Sequence, residues 1–125
     1  MTTRDITFET IDSTIAGDGM VLLDFWAAWC GPCRGFAPVF ERAAAANPDI
    51  VFGKVDTEDQ QQLAAAFRIT SIPTLMAFRD GILVFSQPGA LGAPQLDSVI
   101  EAVRGLDMDD VRRQIAEQRA SQPAS

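Results

Sequence analysis

Between Met20 and Ala27 the chain is apolar at every position except Asp24. A run this short, rich in branched and aromatic side chains, predicts a strand buried on both faces. Ile50–Asp56 predicts a second buried strand, and Asp5-Ile6-Thr7-Phe8 a short one near the start. Thr74–Phe78 and Ile82–Phe85 flank Arg79-Asp80-Gly81, the pattern of an antiparallel hairpin. Helical spacing falls over Thr10–Ala16, which ends at Gly17-Asp18-Gly19, and over Gly31–Ala46, where the alanines of 43–46 favour helix and Asn47-Pro48 ends it. Glu58–Phe67 and Pro94–Arg104 predict two more helices, the latter with proline in its first turn and Gly105 just beyond its end. Strands alternating with helices, then a hairpin and a helix, imply an α/β fold. Its expected centre is a mixed five-stranded sheet with helices on both faces.

Residues 1–105 carry this pattern and are expected to form one domain. Residues 106–125 differ in composition. Met108, Val111 and Ile115 give a thin apolar stripe that predicts a short helix over Asp109–Arg119, and Ser121–Ser125 reads as a disordered tail.

With 125 residues the chain can bury a core without covalent staples. Its net charge is −7 and its pI about 4.3, so it repels phosphate backbones and nucleic acid is excluded as a partner. No apolar stretch approaches the ~20 residues a membrane-spanning helix needs, so no membrane association is expected. Met1–Asp12 contains Asp5 and Glu9 and no apolar segment, so a secretory leader is not expected and a reducing, cytoplasmic location is.

There are two cysteines and no histidine. Zinc needs four ligands, typically Cys and His, which removes an intrachain zinc site. Trp29-Cys30-Gly31-Pro32-Cys33 lies where the strand Met20–Ala27 hands over to the next helix. At a helix N-terminus, unpaired N–H groups and the helix dipole favour a thiolate over a thiol. Cys33 follows one turn in, close enough for the two sulfurs to bond reversibly. The geometry predicts an exposed attacking Cys30 and a more interior Cys33 that resolves the mixed disulfide. Two inert cysteines, or a structural disulfide worth about 2 kcal/mol for so short a loop, are the competing readings.

The residues Val21–Cys33 with Ala37-Pro38, then Lys54-Val55-Asp56, Ser71-Ile72-Pro73-Thr74-Leu75, Phe78-Arg79-Asp80-Gly81 and Gly89-Ala90 together resemble the thioredoxin family. The resemblance runs from about Thr7 to Arg104. It implies the thioredoxin fold and a protein-disulfide reductase whose chemistry is carried by Cys30 and Cys33, with no bound cofactor. It also implies electrons drawn from NADPH through thioredoxin reductase, disulfide-containing substrate proteins as the other partners, and a monomer.

The same resemblance implies roles for particular residues. Ile72-Pro73 corresponds to a cis-proline element facing the dithiol. Trp29, Gly31, Pro32, Ile72, Pro73, Gly89 and Ala90 correspond to an apolar contact surface for substrate. Asp24 stands in a buried strand, where a carboxylate is costly and its pKa is expected to rise, which suits a proton acceptor for Cys33. Lys54, on the neighbouring strand, corresponds to its partner. The plainer readings are a structural aspartate and a surface lysine. Two other functions compete: a disulfide oxidase or isomerase outside the cytoplasm, and a thioredoxin-fold binding or chaperone module whose tail docks a partner. Arg34, and Gly35 inside a helix, depart from the family pattern without removing a chemical part.

Overall fold

A computed structural model describes residues 3–121. Five strands, β1 (Thr3–Asp5), β2 (Met20–Trp26), β3 (Val51–Asp56), β4 (Thr74–Arg79) and β5 (Ile82–Pro88), form one sheet in the order β1-β3-β2-β4-β5. β1 and β2 lie parallel to β3, whereas β4 runs antiparallel to β2 and β5 antiparallel to β4. The mixed sheet follows from the connections. The parallel pairs need helical crossovers, and the tight Asp80-Gly81 turn lets β5 fold straight back. Both turn residues have positive φ, 53° and 80°, the conformation a two-residue hairpin loop requires.

Among the described residues five helices accompany the sheet: α1 (Ile11–Ile15), α2 (Gly31–Ala46), α3 (Gln61–Ala66), α4 (Ala93–Arg104) and α5 (Met108–Ser121). Alternation along β2 divides the core into two layers. Leu22 joins Phe36, Phe40, Leu96, Ile100 and Val103, which belong to α2 and α4. Val21, Leu23 and Phe25 face the other way, against Ile11 of α1 and Leu63 of α3. Gly53 permits the close approach on this second face. A Cβ there would stand 2.6 Å from Ile6 Cγ1 and 2.9 Å from Leu23 Cδ2.

Three expectations within the domain shift. The first strand lies at 3–5 rather than 5–8. Ile6 N–H still donates to the Lys54 carbonyl (2.8 Å), but Thr7 then turns away, its N–H donating to the Thr10 hydroxyl (2.9 Å) and its carbonyl accepting from Ile11 N–H (3.0 Å). The helix expected from Glu58 begins at Gln61, because Asp56 Oδ1 accepts from the N–H groups of Glu58 and Asp59 (3.0 and 3.3 Å) and holds a turn. β5 extends past Phe85 to Pro88, since Ser86, Gln87 and Pro88 pair with Met76, Leu75 and Thr74. Between Ala77 and Phe78 the register slips by one residue, and Val84 and Phe85 both pack on the α2–α4 layer.

α5 begins one residue before the expected helix and continues to Ser121. Met108 is buried, and half-buried Val111 and Ile115 line a shallow hollow of about 200 Å3 with Ile82, Leu83 and Val84. Arg79 fastens the joint before it, donating from Nη1 to the carbonyls of Val103 (2.8 Å), Arg104 (3.0 Å) and Leu106 (2.8 Å). Asp80 accepts from Gly19 N–H (2.8 Å) and pairs with Arg112 (3.3 Å). The tail beyond Ser121, expected to be disordered, lies outside the described residues.

Candidate active site

Cys30 is the N-cap of α2, with extended backbone (φ −86°, ψ 114°), and its Sγ accepts from Cys33 N–H at 3.2 Å. Pro32 occupies the first turn, where its missing N–H leaves no bond unmade. The two cysteines are joined as a disulfide, with Cα atoms 5.2 Å apart. A sulfur at this cap receives the positive end of the helix dipole and a direct N–H bond, both of which favour negative charge on Cys30. Arg34 steadies the turn from outside, donating from Nη1 to the Ala28 carbonyl at 2.8 Å.

The expected contrast in exposure is small. Cys30 is 4% exposed and Cys33 2%, because Ala27, Trp26 and Ile72 pack around the pair. Cys30 is therefore reached through a groove rather than standing proud of the surface. That groove, about 640 Å3, is lined by Cys30, Trp29, Gly31, Pro32 and Ile72, and Cys33 is not among its lining residues. Its far wall is made by Thr57, by Gln61, Ala64 and Ala65 of α3, and by Ile69–Ser71. Apart from Ser71, which belongs to the Ser71–Leu75 block, these wall residues carry no signal in the sequence, since nothing local links α3 to the dithiol.

Ile72–Pro73 is a cis peptide, and the Ile72 carbonyl oxygen lies 3.7 Å from Cys30 Sγ. Gly89 adopts φ 102° and donates its N–H to the Pro73 carbonyl at 2.7 Å, so it sits beside the proline. Gly89 and Ala90 are exposed, and neither lines the groove. Trp29 is 67% exposed, and its indole N–H donates to Glu58 Oε1 at 2.7 Å. Glu58 is a further site residue without a signal in the sequence.

Asp24 lies in the β2 row Leu22–Asp24–Trp26 that faces α2. Leu22 packs with Phe36 and Phe40, and Trp26 packs with the cysteines, so Asp24 falls between these two groups. It is 0% exposed, and neither carboxyl oxygen has a hydrogen-bond partner among the described residues. Burial pushes its pKa up to about 7, opposed by Lys54 and assisted by Glu41. Lys54 is its register neighbour on β3, yet the ammonium does not reach the carboxyl. Lys54 Nζ instead lies over the Trp26 ring, 5.0 Å from its centre.

A disulfide pair at a helix N-terminus, opening on a groove beside the Ile72 carbonyl, is the site of a thiol-disulfide oxidoreductase. Comparison with known proteins identifies which kind. The Thioredoxin family model matches residues 2–102. The Streptomyces coelicolor protein named "Putative thioredoxin 2" is 58% identical over 118 residues, spanning 94% of this chain and 88% of its own length. The thioredoxin of Alicyclobacillus acidocaldarius is 40% identical, over 82% of this chain and 96% of that protein. Among solved structures, Malassezia sympodialis thioredoxin superposes with a TM-score of 0.73 at 33% identity, covering 80% of this chain and 89% of its own. Plasmodium falciparum thioredoxin gives 0.74 at 33% identity, covering 80% and 98%. The chain belongs to the thioredoxin family. It is a protein-disulfide reductase with Cys30–Cys33 as its active-site disulfide.

Proposed function

We propose that Cys30 attacks and Cys33 resolves, that Asp24 takes the Cys33 proton, and that a thioredoxin reductase using NADPH restores the dithiol. The observation that carries the order of attack is the groove, which reaches Cys30 and not Cys33. In the reduced protein the Cys30 thiolate attacks one sulfur of a target disulfide. That bond breaks, a Cys30–target disulfide forms, and the second target sulfur leaves as a thiolate and is protonated. Cys33 then gives its proton to the Asp24 carboxylate and attacks Cys30 Sγ, forming the Cys30–Cys33 bond and releasing the first target sulfur as a thiolate, which takes up a proton from solvent as Asp24 returns its own. The target gains two electrons and two protons, and this chain is left as the disulfide.

Trp29, held by Glu58, forms one side of the mouth, with Gly31, Pro32 and Ile72 around Cys30. Gly89 and Ala90 extend the contact surface on the other side of Pro73. A lining without charge, apolar around Cys30 and partly polar on its far wall, suits extended segments of many proteins, with Ile72 backbone available for strand-like pairing. Disulfide-containing proteins in a reducing, cytoplasmic setting are the substrates this reading requires, met by a monomer.

The test is NADPH oxidation during insulin reduction with thioredoxin reductase. Wild type should turn over, and Cys33→Ser should instead accumulate a mixed disulfide through Cys30. A wild type inert with the reductase but active when reduced chemically would remove the NADPH route alone. Trapping through Cys33 in Cys30→Ser would reverse the order of attack.

A further inference from the structure

Three ionisable side chains stand in one row across the sheet. Asp5 on β1 is the register partner of Lys54 on β3, and Lys54 is the register partner of Asp24 on β2. Neighbours in register on parallel strands project from the same face. The row therefore runs from an exposed carboxylate, through a half-buried ammonium, to a carboxyl with no access to water. Its outer part opens on a polar cleft of about 150 Å3 that Asp5, Trp26, Lys54, Asp56, Asp59 and Gln60 help to line.

One cation thus has carboxyl groups on both sides. Inward lies Asp24, which also feels the charge of Glu41 on α2, a carboxylate that accepts from the Thr3 hydroxyl of β1 at 2.8 Å. Outward lie Asp5 on β1, Asp56 at the end of β3 and Asp59 in the turn before α3. Two of the outer acids are engaged elsewhere. Asp56 Oδ1 accepts two backbone N–H groups, and Asp59 Oδ2 accepts from Gln60 Nε2 at 3.0 Å. Asp5 makes no side-chain hydrogen bond or ion pair among the described residues. Lys54 likewise has no carboxylate within 4 Å there and rests over the Trp26 ring.

We propose that Asp5 is a positioning residue for the dithiol chemistry, competing with Asp24 for the Lys54 ammonium. While Asp24 is protonated, Asp5 draws the ammonium toward water. When Asp24 loses its proton, the buried charge draws the ammonium inward. A low-dielectric pair is the stronger attraction but requires a desolvated ammonium, so an outer acid with no other engagement shifts the balance. The inference rests on Asp24 being the proton acceptor for Cys33. Asp5 acts on Asp24 through Lys54 rather than directly. Two strand spacings separate their backbones, roughly 10 Å, about one Debye length in physiological salt.

The experiment is a 13C-carboxyl NMR titration of Asp24 in the oxidised full chain, from pH 4 to 9. It compares wild type, Asp5→Asn, Lys54→Met and the double variant. Neutralising the exposed Asp5 leaves Lys54 one principal destination, so the Asp24 midpoint should fall by roughly half to one pH unit. In the Lys54→Met background the same change should move it by less than about 0.2 unit, the screened direct effect. An unmoved midpoint in Asp5→Asn, or an equal shift with and without Lys54, overturns the competition and leaves the acceptor role standing. A wild-type Asp24 signal that does not titrate between pH 5 and 9 overturns the acceptor role and this inference with it.

Discussion

Replacing Asp24 by asparagine should make the protein more stable in a pH-dependent way. The folded carboxyl titrates near pH 7, against roughly 3.9 for an unperturbed aspartate. Between those values the folded protein holds a proton that the unfolded chain has lost, so stability falls as pH rises, by about 1.4 kcal/mol per pH unit. The penalty is absent well below pH 3.9, and is complete once pH passes 7. Over the roughly three units between, it sums to about 4 kcal/mol. Asparagine has nearly the same volume and never ionises. Any fixed cost of burying its amide is the same at every pH. The quantity to measure is therefore the difference in unfolding free energy between variant and wild type, from urea titrations at pH 4, 5, 6, 7 and 8. The difference should grow in favour of the variant by about 3–4 kcal/mol across that range, with an increase in Tm on the order of 10 °C at pH 8 relative to the offset at pH 4. Release of the mixed disulfide should slow in the same variant. A difference that stays flat from pH 4 to 8 would mean that the buried carboxyl does not carry the shifted proton affinity, and its assignment as acceptor would fall.

Two further outcomes concern parts remote from the sulfurs. Gly53→Ala forces a methyl against Ile6 and Leu23, both buried, and should destabilise by about 1–3 kcal/mol in urea unfolding; no loss would mean that the neighbouring strands are free to separate. Arg79→Ala leaves the carbonyls of Val103, Arg104 and Leu106 without their shared donor and should cost about 2–3 kcal/mol, lowering Tm while reductase turnover at 25 °C stays within twofold. A Tm within about 1 °C of wild type would show that solvent replaces the guanidinium at no cost.

Legibility in the sequence tracked how local each signal was. The run around Asp24, the dithiol at a strand–helix junction and the Asp80-Gly81 turn each carry their own physical requirement within a few residues, and each appears where it was read. β1 has three residues, too few for any periodicity, and its position is decided by pairing with Phe52, Gly53 and Lys54. The polar end of β5 is a strand only because Thr74, Leu75 and Met76 lie beside it. In the site, Cys30 and Cys33 announce themselves by spacing. Glu58 does not, because its bond to Trp29 crosses 29 positions and depends on the turn that Asp56 builds. Asp5 is similarly silent. Its relation to Lys54 and Asp24 depends on which distant strands lie side by side, which no run of neighbouring residues shows.

The register slip between Ala77 and Phe78 has a bearing on the company this protein keeps. A reductase of protein disulfides meets other protein chains, and an open sheet margin would invite extended ones to add on as further strands. One margin is the three-residue β1, carrying charged Arg4 and Asp5. At the other, β5 is distorted by the slip, ends in Pro88 and has α5 lying along its first residues. Both borders of the sheet are thus poor templates for aggregation, and pairing beside Cys30, as proposed above, has no rival at either margin.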